Sequence, residues 1–304
     1  MSDRPLVSIV TPSLDQAGTI AQTLQSVREQ SYSNIEHIVA DGGSTDGTLE
    51  ILRRAESGSA LRWSSEPDSG MYAAINKGFS RASGEILAYL NTDDSYFPWT
   101  VETAVGALQA HPDAGFVYGD LLVLWADGRL QLDFHSPFRL AYLRRHAFLA
   151  QPTVFFRRSV CEEVGPFDES LQLLGDCEYW MRIAERFPGR KVNEVLALQR
   201  EHPAAKRYVH GELLEQELGE IRARYPKPGR TAGYLARIEA GLWRRRLAAS
   251  FLAGALTGRG DSWPRFLGDD HWRRSVAPAR FAATLLPVVG RSFAPGAVKE
   301  PERS

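Results

Sequence analysis

Cysteine is scarce in this chain of 304 residues, which has only Cys161 and Cys177. That excludes a disulfide framework and a thiolate metal centre, and it fits a reducing compartment. Long apolar runs are also missing. No uninterrupted stretch approaches the ~20 residues that a membrane-spanning helix needs. The opening MSDRPLVSIV enters a strand-like run with no basic segment and apolar signal core ahead of it. The expectation is a cytoplasmic protein. The seven histidines are scattered without ligand spacing, so none is assigned to a metal; His202 is kept only as a candidate phosphate contact. Repeats and low-complexity tracts are absent too. What remains is ordinary globular composition, with 43% hydrophobic and 24% charged residues, enough for a sizeable core.

A net charge of -1 hides an asymmetry. Residues 230–291 carry eleven Arg against four acids, whereas residues 1–229 carry 23 basic and 31 acidic residues. A basic C-terminal region on an acidic body suits an anionic surface, membrane headgroups before nucleic acid. Within it, Leu235, Ile238, Leu242, Phe251 and Leu256 run beside Arg237, Trp243 and Arg244–Arg246. That pattern fits an interfacial helix on anionic lipid. It fits equally a helix packed on the rest of the chain or on a second subunit of a homodimer. "YPKPGR" (Tyr225–Arg230) reads as the linker before it.

The first hundred residues alternate two periodicities. Strand patterns at Leu6–Pro12, Ile35–Ala40, Leu61–Ser65 and Ile86–Leu90 are separated by helical patterns at Ala17–Gln30, Thr45–Ala55 and Met71–Ala82. Such alternation predicts a parallel sheet flanked by helices, with ligands bound beyond the carboxyl ends of its strands. Later segments read as a helix at Val101–Leu108 and strands at Gly115–Tyr118, Leu121–Trp125, Leu130–Phe134 and Pro152–Phe156. A helix at Asp176–Phe187, a strand at Val192–Gln199 and a helix at Gly211–Tyr225 follow.

Polar residues gather at the predicted strand ends: Thr11-Pro12-Ser13, "DGGSTDGT" (Asp41–Thr48), "SEPDSG" (Ser65–Gly70) and "NTDD" (Asn91–Asp94). In "DGGSTDGT" the glycines allow a tight turn close to a ligand and Asp41 offers an acceptor. The same residues also suit a plain strand-to-helix turn with Ser44 or Asp46 as N-cap. Two adjacent carboxylates, Asp93 and Asp94, repel unless something positive lies between them. A divalent cation, Mg²⁺ or Mn²⁺, is one answer; a helix cap by Asp94 or Ser95 after which the chain turns helical is the other.

The blocks "VSIVTPSLDQAGTIAQTLQSVREQSY", "IVADGGSTDGT", "SEPDSGMYAAINKGFSRASGEILAYLNTDD" and "GDCEYWMRIA" resemble, in this order, the family 2 glycosyltransferases with the GT-A fold. The likeness runs from about Leu6 to about His202. "SEPDSGMYAAINKG" is similar to the members that build bacterial surface polysaccharides. The resemblance implies an α/β fold, with a Rossmann-like nucleotide-binding sheet and helices on both faces. A mixed sheet would follow on the acceptor side, then a C-terminal helical extension. Residues 1–98 would then be the nucleotide-sugar half, 99–225 the acceptor half and 226–304 the basic extension.

It also implies an inverting, metal-dependent transfer from a nucleoside diphosphate sugar to a hydroxyl of a saccharide or lipid-linked acceptor. Pro12 and Ser13 would line the nucleotide pocket, Asp41 would bond the base and Asp46 would support that loop. Asp68, Asn76 and Lys77 would lie along the cleft. The family's Asp-x-Asp motif falls on Asn91, Thr92 and Asp93. Asp93 and Asp94 are thus left to hold ribose and metal. The base block reads Gly175-Asp176-Cys177-Glu178, so Asp176 would be the catalytic base, or alternatively the N-cap of its helix. On the acceptor side Gln151 would face the cleft, Glu178 would orient the acceptor or else be plain surface, and Trp180 would be an apolar stacking wall or else a core residue. Two other classes remain open: a catalytically silent sugar-nucleotide-binding protein, given Asn91 and Gly175, and a nucleotidyltransferase, whose Arg- or Lys-bearing phosphate loop "TPSLDQAGT" lacks.

Overall fold

In the first ninety residues β1 (Val7–Ser13), α1 (Ile20–Arg28), β2 (Ile35–Asp41), α2 (Thr48–Glu56), β3 (Leu61–Ser65), α3 (Met71–Arg81) and β4 (Ile86–Tyr89) follow one another as the periodicity predicts. The computed structural model describes residues 4–56, 60–128, 130–146, 149–201 and 211–229, and beyond them 231, 234–235, 238 and 241–242. The extension expected over 226–304 therefore lies mostly outside the described residues, as does His202.

After β4 come β5 (Ser95–Tyr96), α4 (Thr100–Ala110), β6 (Phe116–Trp125), β7 (Leu130–Asp133) and α5 (Leu140–His146). A 3-10 turn (Gln151–Thr153) leads to β8 (Phe155–Arg157), α6 (Arg158–Val164), α7 (Gly175–Ala184), β9 (Gly189–Glu201) and α8 (Gly211–Arg224). One sheet runs in the order β3-β2-β1-β4-β8-β6-β9-β5, with β7 on β6. Its first four strands are parallel. Beyond them β8 is antiparallel to both β4 and β6, and β5 to β9, so the second half is mixed.

Period-two alternation sorts the strand side chains onto two faces. Val10, Leu87, Tyr89, Phe116, Tyr118 and Phe156 pack with α3 and α7. Val7, Ile9, Ile86, Ala88, Val117 and Phe155 pack on the other face with α1 and α4. These strands are buried on both faces, which is why they read as apolar runs in the sequence.

The differences from the sequence reading are local. Gly115–Tyr118 and Leu121–Trp125 join into the single strand β6, whose register shifts at Asp120. The strand expected at Pro152–Phe156 begins as a 3-10 turn, because Pro152 has no N–H for a ladder. β5, α5 and α6 were not anticipated. β5 has two residues, and α6 fully buries only Val160, so neither carries a periodic signal.

Candidate functional site

Parallel pairing puts the carboxyl ends of β1, β2, β3 and β4 on one rim. Ser13 pairs in register with Asp41, and Asp41 with Ser65. Pro12 and Ser13 are buried at the end of β1, and the Ser13 hydroxyl has no hydrogen-bond partner among the described residues. The loops behind them are knitted together: Ala17 N–H donates to Asp46 (2.9 Å) and Thr45 N–H to Asp15 (2.8 Å). Asp46 also accepts from the N–H and hydroxyl of Thr48, so it caps α2 and supports the loop.

Asp41 is 1% exposed and its carboxylate is heavily used. It accepts from Gly43 N–H, Ser44 N–H and the hydroxyls of Ser44 and Ser65, at 2.5–3.0 Å. Burial raises its pKa, but these donors more than offset that and hold it below the usual range. Asp41 is thus an internal brace of the loop before it is an acceptor for any base. Asp68 faces Gly42 across the rim: a Cβ on Gly42 would lie 3.0 Å from Asp68 Oδ2. A side chain there would have to push the Asp68 carboxylate back by a few tenths of an ångström.

"NTDD" forms a tight turn closed by Asp94 N–H donating to the Asn91 carbonyl (3.2 Å). The helix-cap alternative fails here, since β5 intervenes and α4 starts at Thr100 without a side-chain cap. Thr23 of α1 places its hydroxyl 2.8 Å from the Thr92 carbonyl and 2.7 Å from that of Asp94. From the far side, Arg200 of β9 donates to the Asp93 carbonyl and to Ser95 Oγ, both at 3.1 Å. Burial lowers the Arg200 pKa, and Asp94 and Asp93 push it back up. No local pattern in the sequence marked this guanidinium.

Among the described residues there is no group of three or more His, Cys, Asp or Glu that would hold a metal alone. Beside the buried Asn91 Oδ1, which has no partner among the described residues, the charged oxygen donors present are the carboxylates of Asp93 and Asp94. Such a set fits Mg²⁺ or Mn²⁺ only as part of a shell that diphosphate oxygens complete.

Asp176 stands half-buried in the first turn of α7, its Oδ1 accepting from Cys177 N–H (2.8 Å) and its N–H donating to Tyr72 Oη (3.2 Å). It is not the N-cap, which is Leu174. The approach to α7 is held instead by Glu217 of α8, 3% exposed, which accepts from the N–H groups of Gln172, Leu173 and Leu174 at 2.6–3.0 Å. Gly175 has a packing reason, since a Cβ there would lie 2.6 Å from the Tyr72 ring. Burial pushes the Tyr89 phenol well above its usual pKa, and the carboxylates of Asp176 and Asp94 add to the shift. Asp94 and Asp176 thus both lie within electrostatic range of one buried side chain, and Tyr72, which accepts the Asp176 N–H, packs with Tyr89 on Phe167.

Four of the expected contacts are engaged within the chain. Asn76 splices α3 to the loop before α7, donating to the Phe167 carbonyl and Glu169 and accepting from Phe167 N–H. Lys77 pairs with Glu66 (3.4 Å). Trp180, expected as an acceptor wall, is 1% exposed and packs on Tyr89 and Phe156 in the core. Glu178 is also buried, bonded to Arg182 (2.7 Å) and Tyr225 (2.8 Å), so it faces no acceptor. Gln151 lies beneath the Asn91 turn, 8% exposed.

The model of the family described as glycosyl transferase family 2 matches residues 8–165. An uncharacterized glycosyltransferase of Mycobacterium tuberculosis is 32% identical over 243 residues, covering 76% of this chain and 89% of the relative. A PGL/p-HBAD biosynthesis glycosyltransferase of Mycobacterium bovis is 30% identical over 59% of this chain and 69% of its own length. Among solved structures, a mannosyltransferase of Pyrobaculum calidifontis in complex with GDP-Man and Mn²⁺ superposes with a TM-score of 0.58 at 22% identity. It covers 93% of this chain and 84% of its own. Residues 1–349 of S. aureus TarS in complex with UDP-GlcNAc give a TM-score of 0.58 at 18% identity, covering 80% of both chains.

Proposed function

The chain belongs to glycosyl transferase family 2 and has the GT-A fold, and on that premise we propose that it transfers a sugar from a nucleoside diphosphate donor to an acceptor hydroxyl with inversion. The observation that carries this reading is that Tyr72, which accepts the Asp176 N–H, and Tyr89, which leads β4 into the Asn91–Asp94 turn, pack on the same ring, Phe167. That packing sets the start of α7 near the turn after β4, so that a carboxylate on the acceptor side would face the donor seat. Residues 1–98 would hold the donor and 99–225 the acceptor, along one continuous sheet.

In this reading the acceptor oxygen attacks the anomeric carbon as the bond from that carbon to the diphosphate breaks. Asp176 takes the hydroxyl proton, and the nucleoside diphosphate leaves with the bonding pair. A divalent cation, Mn²⁺ or Mg²⁺, held by Asp93 and Asp94, would neutralise the charge developing on the diphosphate. Asp41 and Asp46 would keep the β2–α2 loop rigid beneath the nucleotide, with Pro12, Ser13 and Asp68 beside it. Both departures from the family pattern have a structural counterpart: Tyr72 fills the space at Gly175, and Gln151 bonds Asn91. That favours an active enzyme over a silent binder.

A screen of nucleoside diphosphate sugars with Mn²⁺ or Mg²⁺ by thermal shift tests the donor. Saturation at 100 times Kd is worth about 2.7 kcal/mol, hence about 4 °C in a chain of 304 residues. If no sugar nucleotide raises the unfolding temperature, the donor reading fails.

The resemblance to surface-polysaccharide enzymes supports a saccharide or lipid-linked acceptor at the inner face of the plasma membrane. One further observation favours membrane contact. No helix among the described residues is long and apolar enough to cross a bilayer. The described positions 231, 234–235, 238 and 241–242 are helical, and Tyr234, Leu235, Ile238 and Leu242 are 42–61% exposed. They precede the Arg-rich sequence 244–246. The protein is expected to sediment with phosphatidylglycerol vesicles and not with phosphatidylcholine alone, and high salt should release it. Leu235→Asp with Leu242→Asp should abolish that binding; unchanged sedimentation would remove the membrane role.

A further inference from the structure

Inside the donor seat the chain carries Asn91 where the family pattern has a carboxylate, and hydrogen bonds fix which way that amide faces. The carbonyl oxygen of Tyr89, at the end of β4, can only accept. Gln151 meets it at 2.6 Å, so the atom presented must be Nε2. The Gln151 Oε1 is then the end directed at Asn91, 3.3 Å away, and Asn91 must present Nδ2 to it. The remaining atom, Asn91 Oδ1, is buried and has no partner among the described residues. A backbone carbonyl thus sets one amide, and that amide sets the next.

We propose that Gln151 is a positioning residue which, through this relay, aims Asn91 Oδ1 as a neutral acceptor for a hydroxyl of the sugar-nucleotide donor. The inference rests on the donor reading above and deepens it. A carboxylate at position 91 does not fit the relay. It would set an anionic oxygen against Gln151 Oε1, and turning Gln151 over would set that oxygen against the Tyr89 carbonyl instead. An aspartate at 91 needs a residue at 151 that donates in both directions, as a doubly protonated imidazole does. Positions 91 and 151 are therefore coupled: Asn with Gln, or Asp with a two-way donor. Metal ligation stays with Asp93 and Asp94, because an amide oxygen is a weaker cation ligand than a carboxylate.

The test is a double-mutant cycle over wild type, Asn91→Asp, Gln151→His and the double variant. Two quantities are read: the unfolding temperature without ligand, and the Kd of the sugar nucleotide found in the screen, with Mn²⁺. Asn91→Asp alone should lower the unfolding temperature and weaken donor binding about tenfold, although it restores the family's acidic motif. Gln151→His alone should do the same, and the double variant should return to within about threefold of wild type, a non-additivity of the size expected for residues in one network. Gln151→Met, of similar volume but without polar atoms, should weaken the donor as much as Asn91→Asp does. If Asn91→Asp binds donor as well as or better than wild type, or if the two effects simply add, the relay is wrong. Should Asn91→Asp fail to fold alone, folding of the double variant supports the coupling, and failure of both overturns it. If no sugar nucleotide binds wild type, the donor reading falls, while the ligand-free cycle still decides whether the relay exists.

Discussion

Asp176→Asn is expected to lower sugar transfer by about 10²–10⁴-fold, the range for loss of a general base, while donor affinity stays within about twofold. The substitution keeps the shape of the side chain and leaves an oxygen to accept from Cys177 N–H. What it removes is the capacity to take a proton. Glu217 holds the approach to α7 and Tyr72 accepts the Asp176 N–H, and neither bond uses the carboxylate of Asp176. A loss of stability is therefore not the expected cause of lost activity. Transfer is read with a labelled donor and a saccharide acceptor, and donor binding by calorimetry. Retained transfer would put the base elsewhere. Lost donor binding would move Asp176 into the donor pocket.

The parallel half of the fold was legible because its signal is local. Apolar runs such as Ile86–Leu90 are buried on both faces, and the turn residues that end them mark the rim directly. The chemistry at that rim was legible as residue type and not as geometry. Asp41 reads as an available acceptor, yet Ser44 from its own loop and Ser65 from the end of β3 occupy it. Trp180 reads as a stacking surface because its helix begins at the site, but the next turn of that helix already points into the core. The supports of the site were not legible at all. Arg200 on β9, Glu217 on α8 and Tyr72 on α3 reach their partners across long sequence separations. Each sits in an unremarkable strand or helix pattern, and only tertiary pairing reveals what it touches.

Asp94→Ala and Asp93→Ala are each expected to weaken metal-assisted donor binding at least tenfold, whereas Arg200→Met should tighten Mn²⁺ binding in the absence of donor. The sign of the second effect follows from charge. Asp94 is 3% exposed, and Arg200 lies against the same turn with its guanidinium on the Asp93 carbonyl. Two carboxylates and one guanidinium leave the seat with one net negative charge, too little to hold a dehydrated divalent cation firmly. A unit charge at contact distance is worth about 4 kcal/mol at an effective dielectric near 20, and solvent at the open rim screens part of that. Removing the guanidinium is thus expected to raise Mn²⁺ affinity about 10–100-fold, read as the loss of free Mn²⁺ signal in electron paramagnetic resonance. The same variant should unfold at a lower temperature without metal, because Asp93 and Asp94 then repel with no cation between them. Donor binding gives the third reading. With the diphosphate present, wild type and Arg200→Met should differ much less in Mn²⁺ affinity, since the diphosphate supplies the charge that the seat lacks. If Arg200→Met weakens Mn²⁺ binding, the guanidinium only holds the turn in shape, and the cation does not compete with it for the two carboxylates.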